Sequence, residues 1–390
     1  MAGVVRQKID QVALENFLRE NVPEITTPIE LKQASRICIS AAHPPFQANV
    51  NGLRQFKHGQ SNPTYQIVAA DGKKYVLRKR PPGKQISKHA HRVEREYQVL
   101  VALENTDVPV PKPYALCEDE SIIGTTFYIM EFLDGRIFAD VGVPGVSPEE
   151  RTAIWEAAAK TLAKLHAIDP RQVGLEGFGK PSGFYKRQIR SFDAICASQS
   201  KVINTATQEP LGPLPYYAEC VQFFQNASVQ PRDRSCLVHG DYRVDNLVFH
   251  KTEPRVIGIL DWETSTIGHP LSDIASLVTF FHMARHPGGS PYDLSSLLPG
   301  RTPGMPQPEQ IVQWYACYGD YDPAPDFDYG IAFSIWKTAV LCQGIEARMV
   351  TGQAGSDQVA AYAAIKAPLA ELAWKLTQYS NSAWQQSARL

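Results

Sequence analysis

The dominant hydrophobic period of this chain changes near Gly135. Upstream of that point, short β-rich runs are separated by turn residues, and Asp71-Gly72 between the first two runs is a strong hairpin signal. The pattern predicts two strands, one helix and two further strands, in the order Thr64–Ala69, Lys74–Arg80, His89–Glu104, Tyr114–Glu118 and Thr125–Leu133. This segment is therefore expected to form a small lobe that combines a sheet with one helix.

Downstream of Gly135 the balance shifts to helix. Helices are predicted over about 148–167, 183–199, 214–226, 271–284, 308–318, 328–350 and 356–378. A β-hairpin at Asn246–His250 and Arg255–Asp261 interrupts them. We expect an α+β fold of two lobes, with a β-rich N-lobe over 56–133, a mainly helical C-lobe over 134–390, and a helix and extension over 1–55.

Composition excludes several classes of function. The formal net charge is −1, so no overall attraction to nucleic acid or to an anionic membrane is expected. We find no apolar run near 18 residues and no basic-then-apolar start of a secretory signal. The seven cysteines contain no C-x-x-C pair, which is typical of reduced thiols inside the cell. The expected partner is a small molecule, and local groups must bind any anionic substrate.

One polar constellation stands out in the C-lobe. His239, Asp241 and Asn246 form H-x-D-x-x-x-x-N, and Asp261 follows at the end of an apolar strand. Phosphoryl transfer needs an acceptor hydroxyl placed in line, a group that takes its proton, and Mg²⁺ that neutralises the phosphate charge. Asp241 suits the proton acceptor, and Asn246 and Asp261 offer the oxygen ligands that Mg²⁺ prefers. The alternative interpretation makes Asp241 and Asp245 turn formers and Asp261 a solvated strand end.

The N-lobe should then hold ATP. The loop that contains Gly59, Ser61 and Asn62 precedes the first strand and can fold over the phosphates with its backbone N–H groups. It is not a G-x-G-x-x-G loop, so the signal is weak. On the next strand, alternation places Val76 and Arg78 on one face, where they suit adenine and phosphate respectively.

Two further N-lobe features are candidates for nucleotide contact. Glu96 flanks the apolar stripe of the predicted helix and needs a cation from the neighbouring strand, unless it is an ordinary surface charge. Glu131 and Leu133 end the last strand before Asp134-Gly135, where their backbone groups could bind adenine.

These motifs closely resemble the aminoglycoside phosphotransferase superfamily, which includes the choline kinases. The resemblance rests on the His239–Asn246 motif and on Leu260-Asp261-Trp262-Glu263. More narrowly, Gly59–Tyr65, Tyr75–Lys79 and Gly268–Asp273 look like the branch fused or related to acyl-CoA dehydrogenase family proteins. The resemblance covers about residues 53–379.

The resemblance implies a bilobal protein-kinase-like fold that uses ATP and Mg²⁺. By matching position, Asp241 would be the catalytic base, Asn246 and Asp261 the metal ligands, and Glu96 the partner of the phosphate-binding cation. Asp273 would brace the catalytic loop, and His166 would have a structural role. The sequence departs from the family where Arg78 takes the place of the usual lysine, with Lys79 as the alternative cation.

The acceptor is less constrained. The fused branch implies hydroxylated fatty acids or acyl-CoA intermediates, and we predict a 4-hydroxyacyl-type alcohol. Ala388-Arg389-Leu390 resembles a peroxisomal tripeptide, which predicts peroxisomal localisation through an import receptor, with the cytoplasm as alternative. Candidate acceptor contacts are Tyr185–Gln188 and the loop over 287–308, which equally fit an ordinary helix start and a surface loop.

Two other functions stay open. A choline, homoserine or aminoglycoside kinase is the first, because the acidic and aromatic stretch Tyr318–Asp328 could bind a cationic acceptor. A nucleotide-binding pseudokinase is the second, and only Arg78 favours it. A zinc hydrolase is disfavoured because the histidines lack the spacing of a metal motif.

Overall fold

The computed structural model describes residues 9–34, 62–81, 92–286, 288–352 and 357–387. Gly59 and Ser61 of the predicted phosphate loop lie outside these residues, as does most of the predicted extension at 33–52. The tripeptide Ala388-Arg389-Leu390 also lies outside them, so the peroxisomal address stays a prediction.

The N-lobe is a five-stranded sheet, antiparallel throughout, with one long helix on each side. In chain order its elements are α1 (Gln11–Asn21), β1 (Glu30–Ala34), β2 (Thr64–Val68), β3 (Lys74–Lys79), α2 (Val93–Leu103), β4 (Pro113–Cys117), α3 (Glu120–Ile123) and β5 (Phe127–Glu131). The strands are arranged β1-β2-β3-β5-β4. This order places β3 at the centre of the sheet.

Alternation along β3 divides the N-lobe core in two. Val76 faces the C-lobe side and packs with Leu100 of α2 and Met130 of β5. Leu77 faces the other side and packs under Leu18 of α1. The predicted alternation is therefore what positions residues 76 and 78 on the side of the sheet that faces the second lobe.

Residues 11–34 pack against this lobe. They were predicted as a helix and extension before the lobe, but α1 covers the sheet and β1 adds a fifth strand beside β2. The sequence of β1, Glu-Leu-Lys-Gln-Ala, has little apolar alternation because an edge strand buries few side chains. The boundaries proposed at 55 and 133 stay predictions.

The C-lobe is mainly helical. Its elements are α4 (Pro148–His166), α5 (Phe184–Gln199), α6 (Tyr217–Gln225), β6 (Cys236–Val238), β7 (Leu247–Phe249), β8 (Val256–Ile259), β9 (Thr266–Gly268), α7 (Leu271–Ala284), α8 (Pro308–Tyr318), α9 (Phe327–Val350), α10 (Asp357–Ala364) and α11 (Lys366–Ser387). Strand β6 pairs with β9, and β7 pairs with β8. The α+β fold with two lobes is thereby confirmed. None of the described helices is long and apolar enough to cross a membrane.

The single helix predicted over 356–378 is wrong, since two helices meet at Ile365. Pro368 explains the break. A proline in a helix has no N–H to donate to the carbonyl four residues back, and its ring clashes with that carbonyl, here Ala364. Helix α10 therefore ends at Ala364, and α11 begins with the proline in its first turn.

We predict that Leu18→Ala lowers the free energy of unfolding by about 2–5 kcal/mol, because this fully buried side chain joins α1 to the sheet. Urea denaturation followed by circular dichroism measures the change. Val12→Ala on the same helix is the control, because Val12 is 70% exposed and its truncation should change stability by less than about 0.5 kcal/mol. Equal effects of the two substitutions would mean that α1 does not pack as described.

Candidate active site

The loop between β6 and β7 is fixed by a buried carboxylate beneath it. Asp273, near the start of α7, is fully buried and accepts hydrogen bonds from the backbone N–H groups of His239 (2.6 Å) and Gly240 (2.8 Å). Gly240 has φ 86°, and a Cβ there would lie 2.6 Å from the carbonyl oxygen of Thr264. Glycine is therefore required where the loop turns.

A second layer holds Asp273 itself. His166, at the end of α4, places Nε2 3.2 Å from Oδ2 of Asp273 and Nδ1 2.9 Å from the hydroxyl of Tyr315. Burial raises the pKa of Asp273, but His166 and His239 together more than compensate through their charge and hydrogen bonds, so the pKa of Asp273 lies below the usual range. The carboxylate therefore stays ionised under its backbone donors.

His239 links this loop to the segment after β8. Its side chain is fully buried, and Nε2 lies 2.8 Å from the carbonyl oxygen of Leu260. Its Nδ1 accepts a hydrogen bond from the backbone N–H of Asp241 (3.2 Å). One imidazole thus positions both the residue before Asp261 and the backbone of Asp241.

Asp241 and Asn246 lie side by side. The amide nitrogen of Asn246 donates to the backbone carbonyl of Asp241 (2.9 Å) and to its Oδ2 (3.2 Å). Burial in the cleft raises the pKa of Asp241, while Arg243, His239 and Lys337 lower it, and the net shift is upward. A carboxylate with a raised pKa is a better proton acceptor than an ordinary aspartate.

Two cations beside Asp241 were missed from the sequence. Arg243 lies 3.6 Å from Oδ2 of Asp241 and pairs with both oxygens of Asp245. Lys337, in the middle of α9, donates to the carbonyl oxygen of Gly240 (3.0 Å). Lys337 is the lone charged residue between Asp328 and Glu346 in an otherwise apolar helix, a signal that could have found it.

Asp261 follows β8 in a left-handed conformation, with φ 69° and ψ 58°. This backbone conformation is unfavourable for a residue other than glycine. It persists here because the neighbouring residues Leu260 and Trp262 are both fixed by hydrogen bonds. Leu260 donates to the carbonyl of Asn246 (2.9 Å), which brings Asn246 and Asp261 to one mouth. The prediction that both residues lie on the strands is wrong, because Asn246 precedes β7 and Asp261 follows β8 by two residues.

Arg78 joins the lobes at this point. Its side chain is 3% exposed, with Nη2 2.6 Å from Oδ1 of Asp261 and Nε 3.0 Å from Oε2 of Glu96. Burial raises the pKa of Asp261, but Arg78, together with His239 and Arg243, lowers it by more, so the net shift is downward. Lys79 lies on the opposite face of β3, with Nζ 6.0 Å from the ring centre of Tyr65. Arg78 is therefore the cation that faces the cleft.

Glu96 binds Arg78 from the N-lobe and has two further partners there. It is fully buried, so the interpretation as a surface charge is wrong. Asn62 donates to its Oε1 (2.5 Å) and the hydroxyl of Tyr128 to its Oε2 (3.1 Å). Asn62, predicted to line a phosphate loop, is buried and binds this carboxylate, which fixes the start of β2 relative to α2.

Glu263 is a further carboxylate at the site, and sequence analysis assigned it no role. Its Oε2 lies 3.7 Å from Nη2 of Arg78. Burial and the nearby charge of Asp261 raise the pKa of Glu263 to about 8. The protonated form of Glu263 therefore persists near neutral pH, which limits the negative charge around Asp261.

The inner wall of the cleft between the lobes is apolar. Val76 is buried there opposite Met130. The residues that meet at this wall, with no space for a water molecule between them, are Leu100, Pro111, Tyr128, Met130, Ile259, Leu260, Asp261 and Trp262. At the predicted hinge, the backbone N–H of Glu131 already donates to the carbonyl of Lys112 (2.8 Å). The side chain of Leu133 packs on Val248 and Leu260, which ties the connection between the lobes to the β7–β8 hairpin.

One of the predicted acceptor contacts is buried in the core. Tyr185 packs against Tyr329 and Phe333, so the prediction that it contacts the acceptor is wrong. Part of the loop over 287–308 packs on α4 instead of the cleft, since Arg151 and Thr152 donate to its backbone carbonyls. Tyr292, earlier in that loop, hydrogen-bonds Tyr362 of α10.

The acidic stretch Tyr318–Asp328 serves local structure. Asp322 caps the turn at Ala324 (3.0 Å) and Asp326 accepts from Tyr321 (2.9 Å). Helix α9 begins at Phe327, so the stretch lies about 15 Å along the helix from Lys337.

The donor set fits a magnesium ion. No group of three or more His, Cys, Asp or Glu side chains suited to a metal occurs among the described residues, which disfavours a closed zinc site there. Asn246 and Asp261 instead provide one amide and one carboxylate at the same mouth. Mg²⁺ is commonly bound in this way, because it keeps several waters and takes phosphate oxygens as its other ligands.

Comparison with known proteins identifies the arrangement. The family model described as the phosphotransferase enzyme family, APH, matches residues 52–309, about two thirds of the chain. This chain belongs to that family. The predicted resemblance to aminoglycoside phosphotransferases is confirmed, and with it the protein-kinase-like form of the two lobes.

Comparison with individual proteins supports the assignment of this chain to the phosphotransferase family. The chain is 33% identical to a putative aminoglycoside phosphotransferase from Ralstonia eutropha, with a TM-score of 0.75 over 95% of this chain and 99% of that one. It is 41% identical to the probable acyl-CoA dehydrogenase IBR3 of Arabidopsis thaliana, over 81% of this chain and 38% of that protein. The fold alone is shared with APH(2")-IIa in its streptomycin–ATP ternary complex, at 16% identity, a TM-score of 0.52, and 86% and 90% coverage. The chain spans less than half the length of the curated relatives it matches.

We predict that Asp273→Asn lowers the free energy of unfolding by about 2–4 kcal/mol at pH 7, because an amide replaces the charged acceptor under two backbone N–H groups. The folded-state pKa of Asp273 is lowered, so its stabilisation is complete above the unfolded value near 3.9 and disappears as the pH falls through the folded value. Urea denaturation between pH 7 and pH 3 should show the difference from wild type shrinking below about pH 4. Asp320→Asn, at an exposed aspartate, is the control.

We also predict that Arg78→Met lowers the free energy of unfolding by about 3–5 kcal/mol, because Glu96 keeps a buried charge without its cation. Adding Glu96→Gln should recover part of this loss. Thermal or urea denaturation of the wild type, the two single variants and the double variant gives the coupling free energy between Arg78 and Glu96. Simple additivity of the two substitutions would show that the pair is not coupled.

Proposed function

We propose that this protein transfers the γ-phosphoryl group of ATP to the hydroxyl of a small molecule, with Mg²⁺. The observation that carries this proposal is the convergence of Asp241, Asn246 and Asp261 on one mouth, beside the buried cation Arg78. Membership of the phosphotransferase enzyme family supports it, as does the ATP complex of a protein with the same fold.

In this proposal Asp241 orients the acceptor hydroxyl and accepts its proton. The oxygen–phosphorus bond to the acceptor forms as the bond between Pγ and the bridging oxygen breaks, and that oxygen leaves with its electron pair on ADP. Asn246 and Asp261 would hold Mg²⁺, which neutralises phosphate charge when bound. Arg243, 3.6 Å from Asp241, lies where it can stabilise charge on the transferred group.

The acceptor that we propose is a hydroxy fatty acid or hydroxyacyl-CoA. The similarity to a probable acyl-CoA dehydrogenase supports this class, although the chain corresponds to 38% of that relative. Charge near Asp241 supports it as well. The groups that act most strongly on the pKa of Asp241 include Arg243 and Lys337, and the one carboxylate among them, Asp245, is already paired with Arg243.

A cationic acceptor such as choline or an aminoglycoside fits less well. The acidic stretch that would bind it caps turns at the start of α9 and is not among the main influences on Asp241. A pseudokinase is the other alternative. The retention of Asp241, Asn246 and Asp261 in one site favours turnover over nucleotide binding alone.

We predict that Asp241→Asn lowers the rate of ADP formation by at least about 100-fold in the presence of Mg²⁺-ATP and an alcohol, because the proton acceptor is lost. The assay uses hydroxyacyl-CoAs, free hydroxy acids, choline and kanamycin as acceptors. Calorimetry should show ADP affinity within a few-fold of wild type, which separates loss of chemistry from loss of fold.

Asp322→Asn is the matched control for this assay and should retain full activity. A dependence of choline or kanamycin phosphorylation on Asp322 would instead favour the cationic acceptor. Full activity of Asp241→Asn would contradict the proposed mechanism.

A further inference from the structure

A cavity of about 150 Å³ adjoins the layer of side chains that holds Asp273. It lies where the end of α4, the residues that lead into β6, the start of α7 and the segment after α8 meet. Asp241, Asn246 and Asp261 do not line it, so the cavity is distinct from the candidate active site. A cavity of this volume can hold a group about the size of benzene.

The interior of the cavity is largely apolar. Ala163, Cys236 and Pro270 are small buried residues in its wall, and the rings of Tyr315 and Tyr321 are buried beside them. The thiol of Cys236 lies 3.7 Å from the carbonyl oxygen of Gly268, so it already has a partner. The interior therefore suits a small hydrocarbon group.

A cation lies at the mouth of the cavity. Arg234 is exposed, and its guanidinium carbon lies 4.7 Å from the ring centre of Tyr321. It forms no ion pair with any residue that the structure describes, since the neighbouring Asp233 accepts the backbone N–H of Gly183 (2.8 Å) instead. A guanidinium that stacks on a ring keeps its N–H donors in its own plane, where they can bind a carboxylate.

An anion lies at the same mouth. Asp320 is exposed and has no ion-pair partner within the described part of the chain, whereas Asp322 and Asp326 of the same acidic stretch are used locally. Burial raises the pKa of Tyr315, on which Arg234 acts downward and Asp320 upward. Both charges are therefore near the hydroxyl of one residue of the cavity wall.

The wall of the cavity is connected to the catalytic loop. His166 lines the cavity with a side chain that is 4% exposed, and its two ring nitrogens contact Tyr315 and Asp273. Asp273 in turn accepts the backbone N–H groups of His239 and Gly240. A molecule that fills the cavity would thus favour the arrangement that fixes this loop, because any displacement of the layer would remove its contacts.

We propose that this cavity binds a small α-amino acid with an apolar side chain, and that the bound molecule stabilises the catalytic loop through His166. The carboxylate would bind Arg234, the ammonium group Asp320, and the side chain would enter the apolar interior. A zwitterion satisfies both charges at the mouth, whereas a simple acid or amine would place a like charge beside one of them. Binding at this site does not depend on the proposed phosphoryl transfer.

Calorimetry on the full chain tests the class of ligand. The probes are L-alanine, L-valine and L-leucine, together with isovalerate and isobutylamine, which are L-valine without its ammonium group and without its carboxylate. At least one of the amino acids should bind with a Kd of about 1 mM, as expected for a ligand of six to nine non-hydrogen atoms. Each analogue should bind about three- to tenfold more weakly than L-valine, because each contact at the mouth is partly screened by water.

Substitutions at the mouth assign the two contacts. Arg234→Met should make L-valine and isobutylamine bind equally, and Asp320→Asn should do the same for L-valine and isovalerate. Arg232→Met is the matched control, since Arg232 is exposed two residues earlier and does not line the cavity. Absence of binding by all three amino acids, or an affinity of isovalerate or isobutylamine equal to that of L-valine, would overturn the proposed ligand class.

Amide hydrogen exchange tests the connection to the catalytic loop. With ligand at ten times its Kd, exchange of the peptide that contains His239 and Gly240 should slow by about tenfold, because the loop opens only after the ligand leaves. The slowing should be absent in Arg234→Met and unchanged in Arg232→Met. Binding without any change in exchange would contradict the stabilisation of the loop. Neither measurement requires turnover, so failure here leaves the proposed phosphotransferase function intact.

Discussion

The carboxylate of Asp273 is the contact on which the geometry of the site depends. It lies in the core, ionised, and accepts two successive backbone N–H groups of the loop that carries Asp241. Because the loop is fixed there, His239 is fixed as well, and its imidazole binds the carbonyl just before Asp261. Asp261 then binds Arg78, which binds Glu96 on α2. One continuous polar network thus runs from the base of the C-lobe to the helix of the N-lobe.

Arginine at position 78 suits this network better than lysine would. A guanidinium has donors in a fixed fork, so Nε can face Glu96 while Nη2 faces Asp261. A lysine would have to satisfy both carboxylates from one nitrogen. Arginine also keeps its charge when buried, which a lysine does less reliably. The departure from the family pattern is therefore compatible with an intact site.

Local sequence predicted much of the fold. The hairpin of β2 and β3 followed from Asp71-Gly72 between alternating runs, and α2 followed from its apolar stripe, although the helix begins at Val93. The edge strand β1 was missed because its residues show little alternation. The break at Ile365 was missed because the apolar period continues through it, although Pro368 alone could have indicated it.

Some residues of the site could likewise be predicted from the sequence, and others could not. The residues grouped by one motif, Asp241, Asn246 and Asp261, were found because their order along the chain reflects a hairpin that brings them together. Lys337 was not found, since it lies 97 positions from Gly240 and only the packing of α9 on the catalytic loop brings it there. Contacts of this kind depend on tertiary structure and leave at most an isolated charge in an apolar helix as their trace.

The charges around the cleft are unevenly distributed, and this asymmetry is consistent with its proposed chemistry. Carboxylates collect on the side of Asp261, where Arg78 and the raised pKa of Glu263 limit their repulsion before any metal is bound. Cations collect on the side of Asp241, at Arg243 and Lys337. A metal cation, which in turn attracts a triphosphate, needs the first arrangement, whereas an anionic alcohol needs the second. The base lies between them, where its proton transfer is influenced by both.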